Sequence, residues 1–491
     1  MRRDYLIYTI ISIIAVAYNL ATLHNQAPWL DEVMICDTPA NYYLFNAWET
    51  KAYYGGIGAS IYMPLYGFLS LIWYNIFGFS FIAARFLNIF LFFILGFVLI
   101  ETSNSIIKGD KSKFSIIIFS SLFWFTYDLA MLYRDGRPDV LCALLSFSMV
   151  LKAIGDIKSN KTHYLFYVVV GCLLLMSGLQ ACVFVGWIAL FSLCAYWEYR
   201  NRIIKIILLY ALGCSIGGVI TLFFMYKVGV FNEFVINTMY MSSTLWKCFL
   251  FVAPFFTEKH YGDIESVHVD FFTKVYESFD LLLAILYLFT CSILLALCIK
   301  TKKVQKSIAL IFVFPIFAIF TMNLSGHYYG HYSWMVFCPL LLSFVLILKS
   351  CNITINSVLS VLVVIVLCIK SIPHFGNIKD KAYDNLCAFI QRQPFEISDK
   401  VVSPMAPFYE LKPKVKDCYF AEIYPSEKIP QVDYFIRPIH NVESDKIMNY
   451  YKGAAEMDAY FDKMTQDKSI QFIPIDTCQY PYLILYKVLY R

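Results

Sequence analysis

The chain has 491 residues, 59% hydrophobic and only 15% charged, a balance that excludes an ordinary water-soluble domain and places much of the chain in lipid. Its net charge of +5 is spread over short basic clusters, which excludes the continuous basic stripe of a nucleic-acid-binding surface. The 15 cysteines contain no Cys-x-x-Cys pair, and most, such as Cys172, Cys182, Cys194 and Cys214, sit singly inside apolar runs as small buried hydrophobes, which excludes a zinc ribbon or thioredoxin-like centre.

A helix needs about 20 apolar residues to cross a bilayer, fewer where helices pack together. About eleven runs satisfy this rule: 5–23, 81–100, 114–132, 140–154, 164–179, 181–197, 203–226, 281–299, 308–322, 333–348 and 353–369. No small-residue cleavage site follows the first run, so it is read as a retained span. Arg2 and Arg3, Lys108 to Lys113, Lys158 and Lys161, Arg200 to Lys205, and Lys300 to Lys306 then fall on one side, the cytoplasm. An odd number of spans leaves the polar tail outside. The expected fold is a polytopic α-helical membrane protein carrying a small C-terminal α/β extracytoplasmic domain, divided into a membrane module, 1–370, and an outer domain, 371–491.

Two outward loops, 24–80 and 227–280, are too long to be simple turns. In the first, Thr38-Pro39 is a helix start signal, and Tyr42, Tyr43, Phe45 and Trp48 are spaced for one apolar face, so an interfacial helix is expected there. In the tail, strand-like runs at 400–403 and 434–436, a helical stretch at 445–463 and a closing run at 482–490 make up the α/β domain. Cys418 and Cys478 are its candidates for a disulfide.

Four stretches carry unusual chemistry for a membrane edge. Asp31 and Glu32 follow the first span directly, where poor solvation raises a carboxyl pKa unless cations or hydrogen bonds oppose it; this suits a general base, against the alternative of a solvated charge pair. In Tyr133-Arg134-Asp135-Gly136-Arg137-Pro138-Asp139, two arginines and two aspartates fall within six residues at an outward junction, and Gly136 and Pro138 force a turn that holds them together, either for a ligand or as a knot of salt bridges. His327, His331 and Tyr332 lie in Gly-His-Tyr-Tyr-Gly-His-Tyr at the outward end of the ninth span, as donors to phosphate oxygens or as ordinary interfacial aromatics. Lys259, in the second long loop among Glu258, His260, Asp263 and Glu265, is a further candidate for phosphate contact in what is by default a solvated loop.

Taken in order, these residues resemble the dolichyl-phosphate-mannose protein mannosyltransferase superfamily and its bacterial relatives, the lipid A aminoarabinose transferases. Asp31-Glu32 is similar to the acidic motif of that family's first outer loop, and Met63-Pro64-Leu65-Tyr66 to its Pro-Leu-Tyr element. Phe77-Gly78-Phe79-Ser80 with Arg85 looks like the stretch opening the second span, Arg137-Pro138-Asp139-Val140 like the Arg-Pro-Asp element heading the fourth, and Tyr332 to Pro339 like the late Tyr-x-x-Pro region. The resemblance covers about the first 340 residues. It implies a GT-C fold and an inverting glycosyltransferase that moves a sugar from a polyprenyl-phosphate (undecaprenyl-phosphate-like) donor to a glycan, lipid or protein acceptor outside the membrane. A bacterial inner membrane with the active site facing the periplasm, and a role in cell-envelope glycans such as lipopolysaccharide, are what it implies for location.

Under that resemblance Asp31 is the base or its close partner, Glu32 stands beside it, and Asp139 is a second acid. The leaving phosphate can be met by arginine or histidine alone or by a divalent ion, for which Asp31 and Asp139 are the candidates. The chain departs from the aminoarabinose enzymes at Tyr62 and Met63, where those have an acid and a lysine, and at Gln180, where those have a base. Phosphate binding is therefore assigned to Arg137, Arg134, His327, His331 and Tyr332, with Asp135 and Lys259 as further substrate contacts. Other readings of the same architecture are a transporter or flippase of lipid-linked sugars, which would place its essential charges near the bilayer midplane, and a lipid-linked glycan polymerase or ligase.

Overall fold

A computed structural model describes residues 2–28, 30–50, 63–106, 113–229, 334–350, 382–420, 429–439, 453–479 and 482–491, with single positions at 231, 357, 358, 362 and 365. The expected spans 281–299 and 308–322, most of 353–369, almost all of the second outer loop, and Lys259, His327, His331 and Tyr332 lie outside the described residues. The helices are α1 (Arg2–Thr22), α2 (Leu30–Phe45), α3 (Pro64–Phe77), α4 (Phe81–Ile106), α5 (Lys113–Phe125), α6 (Tyr127–Arg134), α7 (Asp139–Ser159), α8 (Tyr164–Ser177), α9 (Leu179–Ala195), α10 (Arg200–Val228), α11 (Trp334–Ser350), α12 (Ala382–Gln391), α13 (Phe408–Leu411) and α14 (Gly453–Gln466). The strands are β1 (Lys400–Ser403), β2 (Asp417–Phe420), β3 (Tyr434–Pro438), β4 (Ile470–Gln479) and β5 (Tyr482–Tyr490). They group into two compact units, one of Met1–Val16, Ile89–Tyr133 and Pro138–Ser371, the other of Ala17–Asn88, Arg134–Arg137 and Ile372–Arg491.

Among the described residues four helices are long and apolar enough to cross a membrane, at Arg3–Thr22, Phe81–Ile106, Asp139–Ser159 and Trp197–Val228. Shorter apolar helices run over Phe114–Phe125, Tyr164–Ser177, Gln180–Cys194 and Phe337–Leu346. In the first unit α8 and α10 approach until their backbones touch. A Cβ on Gly213 would lie 2.2 Å from the Val168 carbonyl oxygen, one on Gly171 2.5 Å from that of Tyr210, and one on Gly217 2.6 Å from that of Cys172. Gly213 and Gly217 are four apart on one face of α10, the small-residue spacing that lets helices pack where lipid provides no hydrophobic drive between them. Elsewhere on α10, Leu208, Leu212, Val219 and Phe223 are exposed, as a lipid-facing surface requires.

The third expected span is divided, because α5 stops at Phe125 and α6 starts at Tyr127. The Thr126 hydroxyl donates back to the Leu122 carbonyl at 2.6 Å, a bond of the kind that bends helices, and the Tyr133 hydroxyl donates to the Trp124 carbonyl at 2.6 Å. Stacked rings of Phe92 and Phe123, with centroids 3.9 Å apart, and a 2.8 Å bond from Trp124 Nε1 to Ser12 Oγ pack this bend into the unit.

In the second unit the first outer loop departs from expectation. α2 begins at Leu30, eight residues before the start signal at Thr38, and carries Pro39 inside it. Pro39 has no N–H to give the helix, but Val33, Ile35, Cys36 and Ala40 are buried along α2, and that burial outweighs the local stop signal. Asp31 and Glu32 consequently occupy the first turn, where the helix dipole favours negative charge.

The C-terminal residues form a five-stranded sheet in the order β2-β1-β3-β5-β4, with β1 parallel to both β2 and β3, and β5 antiparallel to both β3 and β4. On one face Val402, Tyr419 and Phe435, adjacent in register, pack with Met457, Tyr460 and Phe461 of α14. The expected strands at 400–403, 434–436 and 482–490 match β1, β3 and β5; the expected helix is described from Gly453 to Gln466, and its expected start at 445 lies outside the described residues. The expected disulfide is ruled out by strand order. Cys418 lies in β2 and Cys478 in β4, opposite edges separated by about 19 Å at the usual strand spacing, far beyond the about 7 Å Cα limit for a bridge.

Candidate active site

The site is built on the first turn of α2. Glu32 and Arg85, from the N-terminal end of α4, form a two-pronged ion pair, with Nε to Oε1 at 2.9 Å and Nη2 to Oε2 at 2.7 Å, both side chains at 0% exposure. A buried pair survives only when its remaining donors and acceptors are also satisfied. Here Arg85 Nη1 donates to the Gln26 carbonyl at 2.8 Å and Nη2 to that of Ala27 at 3.3 Å, and the guanidinium lies 4.2 Å over the Phe81 ring. Glu32 Oε1 accepts a second donor, the Tyr409 hydroxyl of α13, at 3.0 Å. Burial first, then Cys36 and Glu32 beside it, hold Tyr409 well above the usual tyrosine range, so its hydroxyl remains a donor.

Residues 134–137 close over this turn. A three-residue turn, with the Arg137 N–H donating to the Asp135 carbonyl at 2.9 Å, brings Gly136 against α2, where an added Cβ would lie 3.0 Å from Cys36 Sγ and 3.2 Å from Glu32 Cγ. Asn88 Nδ2 donates to the carbonyls of Asp135 and Arg137, the latter at 2.6 Å, and Tyr66 holds Asn88 Oδ1 at 3.2 Å. The turn thus has its backbone carbonyls anchored from α3 and α4, and it presents Arg137 to Asp31. Arg137 Nη1 donates to Asp31 Oδ2; Arg137 is 6% exposed, but Asp31 is 36% exposed.

Asp135 is fully buried and accepts from Gln26 Nε2 at 3.1 Å. Burial, then the Glu32 charge, pushes its carboxyl up to about 7 against the pull of Arg85, Arg137 and Arg134. Cys36 is also buried, and burial together with Glu32 pushes its thiol up to about 12, so it is no nucleophile.

Of the residues singled out from sequence, Asp31, Glu32, Asp135 and Arg137 come together in this unit. Arg134 turns to the end of α1, where Nη1 meets Asn19 Oδ1 at 2.7 Å and Thr22 Oγ1 at 3.0 Å, and Nη2 meets the Thr22 carbonyl at 2.6 Å. A cation on the last carbonyls of a helix offsets its dipole, which is a structural duty. Asp139, buried as the first residue of α7, falls in the other unit. Among the described residues no group of three His, Cys, Asp or Glu side chains is placed to hold a metal ion.

Sequence reading did not single out Gln26, Asn88, Tyr409 or the buried pair Asp37–Lys412, in which Lys412 Nζ lies 2.8 Å from Asp37 Oδ1 with both at 0% exposure. Thr50 Oγ1 donates to the other oxygen of Asp37 at 2.7 Å. A charged residue in the otherwise apolar run Ile35-Cys36-Asp37 was the available signal, since a buried acid requires a partner.

No protein-family profile and no curated relative matches the chain. Among solved structures, ArnT from Cupriavidus metallidurans bound to undecaprenyl phosphate aligns with a TM-score of 0.61 at 10% identity, over 98% of this chain and 97% of that one. Its apo state aligns with a TM-score of 0.57 at 9% identity over the same shares. The Archaeoglobus fulgidus oligosaccharyltransferase tethered with an acceptor peptide containing the NVT sequon aligns with 0.51 at 10% identity, over 93% of this chain and 72% of that one. The chain has the GT-C fold. At this level of identity the GT-C likeness is one of backbone, and it agrees with the resemblance drawn from residues 31–32, 63–66, 77–85 and 137–140. All four of those stretches contribute to the polar knot, through Asp31 and Glu32, Tyr66, Arg85 and Arg137.

Proposed function

We propose that this GT-C protein is an inverting glycosyltransferase that takes a sugar from a polyprenyl-phosphate carrier at the outer face of the membrane and passes it to a hydroxyl of a glycan, lipid or protein. The observation that carries the reading is the contrast between two neighbouring acids. Glu32 is sealed by Arg85 and Tyr409, whereas Asp31, one residue earlier, keeps a third of its side chain in solvent beside Arg137. Asp31 is the acid that an acceptor can reach.

In this reading Asp31 takes the proton of the acceptor hydroxyl as its oxygen attacks the anomeric carbon from the face opposite the phosphate. The bond from the anomeric carbon to the phosphate oxygen breaks, and the polyprenyl phosphate leaves with the electron pair. Arg137 orients Asp31 and supplies positive charge next to the reacting groups, with Lys259, His327, His331 and Tyr332 as further candidates to meet the phosphate. Asp135 and Asp139 are kept as further candidate acids. The eleven-span topology, with basic loops inside, puts Asp31 outside the cell membrane, and residues 371–491 form an outer domain; both belong to this proposal. The structure of the neighbour ArnT bound to undecaprenyl phosphate, the carrier such a donor would leave behind, supports the donor class.

The test has two steps. Mass spectrometry of envelope glycans and lipids from cells with and without the protein names the missing sugar and its acceptor. Purified protein in lipid nanodiscs is then assayed with that sugar on undecaprenyl phosphate, and Asp31→Asn is expected to lose on the order of 10²- to 10⁴-fold in turnover, the usual worth of a general base. Full turnover by Asp31→Asn contradicts the assignment.

A further inference from the structure

C-terminal residues reach the first turn of α2 through Tyr409. Tyr409 sits in α13, in the connection between β1 and β2, and its hydroxyl donates to Glu32 Oε1 at 3.0 Å while lying 3.4 Å from Cys36 Sγ, one helical turn along α2. Three residues on, Lys412 pairs with Asp37 at 2.8 Å and also donates to the Lys416 carbonyl at 2.9 Å. Lys416 in turn lies 3.1 Å from Glu49, beyond the end of α2. Rings continue the seam, with Phe79 5.5 Å and Phe81 5.4 Å from Tyr409.

Tyr409 and Lys412 therefore grip α2 on successive turns, at residues 32, 36 and 37, by buried polar contacts whose geometry allows little slack. Asp31 is adjacent to the gripped residue. We propose that Tyr409 is a positioning residue: by fixing the Glu32 carboxylate, it sets the orientation of the first turn of α2 and hence the aim of Asp31. The proposal rests on the transferase reading for what Asp31 does, and on the contacts alone for the grip. It gives the C-terminal domain a part in the reaction rather than a separate duty, because the segment 408–416 completes a site whose reactive acid comes from the first outer loop.

Tyr409→Phe removes one hydroxyl and keeps the ring, so the packing against Phe79 and Phe81 survives. In full-length protein in nanodiscs, hydrogen exchange over Leu30–Phe45 is expected to quicken, while exchange over Gly453–Gln466 and the melting midpoint stay as in the wild type. Turnover per folded molecule is expected to fall about tenfold, because a small misplacement of a reacting group costs rate, with KM for the lipid-linked sugar within twofold of wild type. Tyr460→Phe, in the core between the sheet and α14, is expected to change neither quantity. Unchanged exchange over Leu30–Phe45 in Tyr409→Phe overturns the proposal, as does unchanged turnover per folded molecule. If the wild type transfers no sugar from any polyprenyl phosphate, the transferase reading fails instead, and the exchange comparison still reports on the grip. Lys412→Met combined with Asp37→Asn, which removes both charges of the second grip, repeats the exchange measurement should Tyr409→Phe not fold.

Discussion

Where α10 crosses α8, three glycines bring backbones to within reach of each other, and the charged contact between the two helices, Lys205 over the Tyr164 ring, lies at their ends. Around the first turn of α2, the charged groups Glu32, Arg85, Asp37, Lys412 and Asp135 are buried to 1% exposure or less and hold one another through hydrogen bonds. The first region relies on shape, so it is damaged by adding atoms. The second relies on charge balance, so it is damaged by removing a partner, and part-exposed Asp31 stands out from its sealed neighbours Glu32, Asp37 and Asp135.

The largest stability loss is expected in the charged region. Arg85→Met leaves Glu32 buried without its cation, which typically costs about 3–5 kcal/mol, and is expected to lower the thermal midpoint in detergent and to open 24–50 to protease. In the helix pair, Gly213→Val forces a branched side chain onto the Val168 carbonyl, with an expected loss of about 1–3 kcal/mol from overpacking; retention of the wild-type midpoint would contradict the close approach. The third effect follows pH. The Asp135 carboxyl titrates near 7 in the folded protein against 3.8 ordinarily, so between those values the folded state binds the extra proton. Stability is therefore expected to fall as pH rises from about 4 to about 7 and to level off above, with Asp135→Asn flattening that slope in pH-dependent melting.

The acids and arginines of 31–32 and 134–139 were legible because charge at a membrane edge is expensive and so must have a purpose. Their division of labour was not. Arg134 and Arg137 look alike in sequence, yet a three-residue turn points Arg137 to Asp31, while α6 carries Arg134 to the end of α1. Arg85 stood out only through a family motif, since its partner Glu32 is 53 residues away and no spacing rule links them. Tyr409 and Lys412 had no signal of their own: Lys412-Pro413-Lys414-Val415-Lys416 reads as a solvated basic run, and only the fold buries its first lysine against α2. The sheet was anticipated at β1, β3 and β5, where β-branched and aromatic residues cluster, but not at the four-residue β2 or at β4, whose Pro474 and Asp476 argue locally against a strand. The start of α2 was misplaced because a strong local signal, Thr38-Pro39, is overridden by burial along the helix.

The most direct test sets the two neighbouring carboxylates against each other. Asp31→Asn and Glu32→Gln are purified in nanodiscs, and turnover of a polyprenyl-phosphate-linked sugar is measured per folded molecule alongside the melting midpoint. Asp31→Asn is expected to melt like the wild type and to turn over at most about a hundredth as fast, whereas Glu32→Gln is expected to melt earlier. Equal turnover by Asp31→Asn and wild type would contradict the assignment of Asp31 as the base.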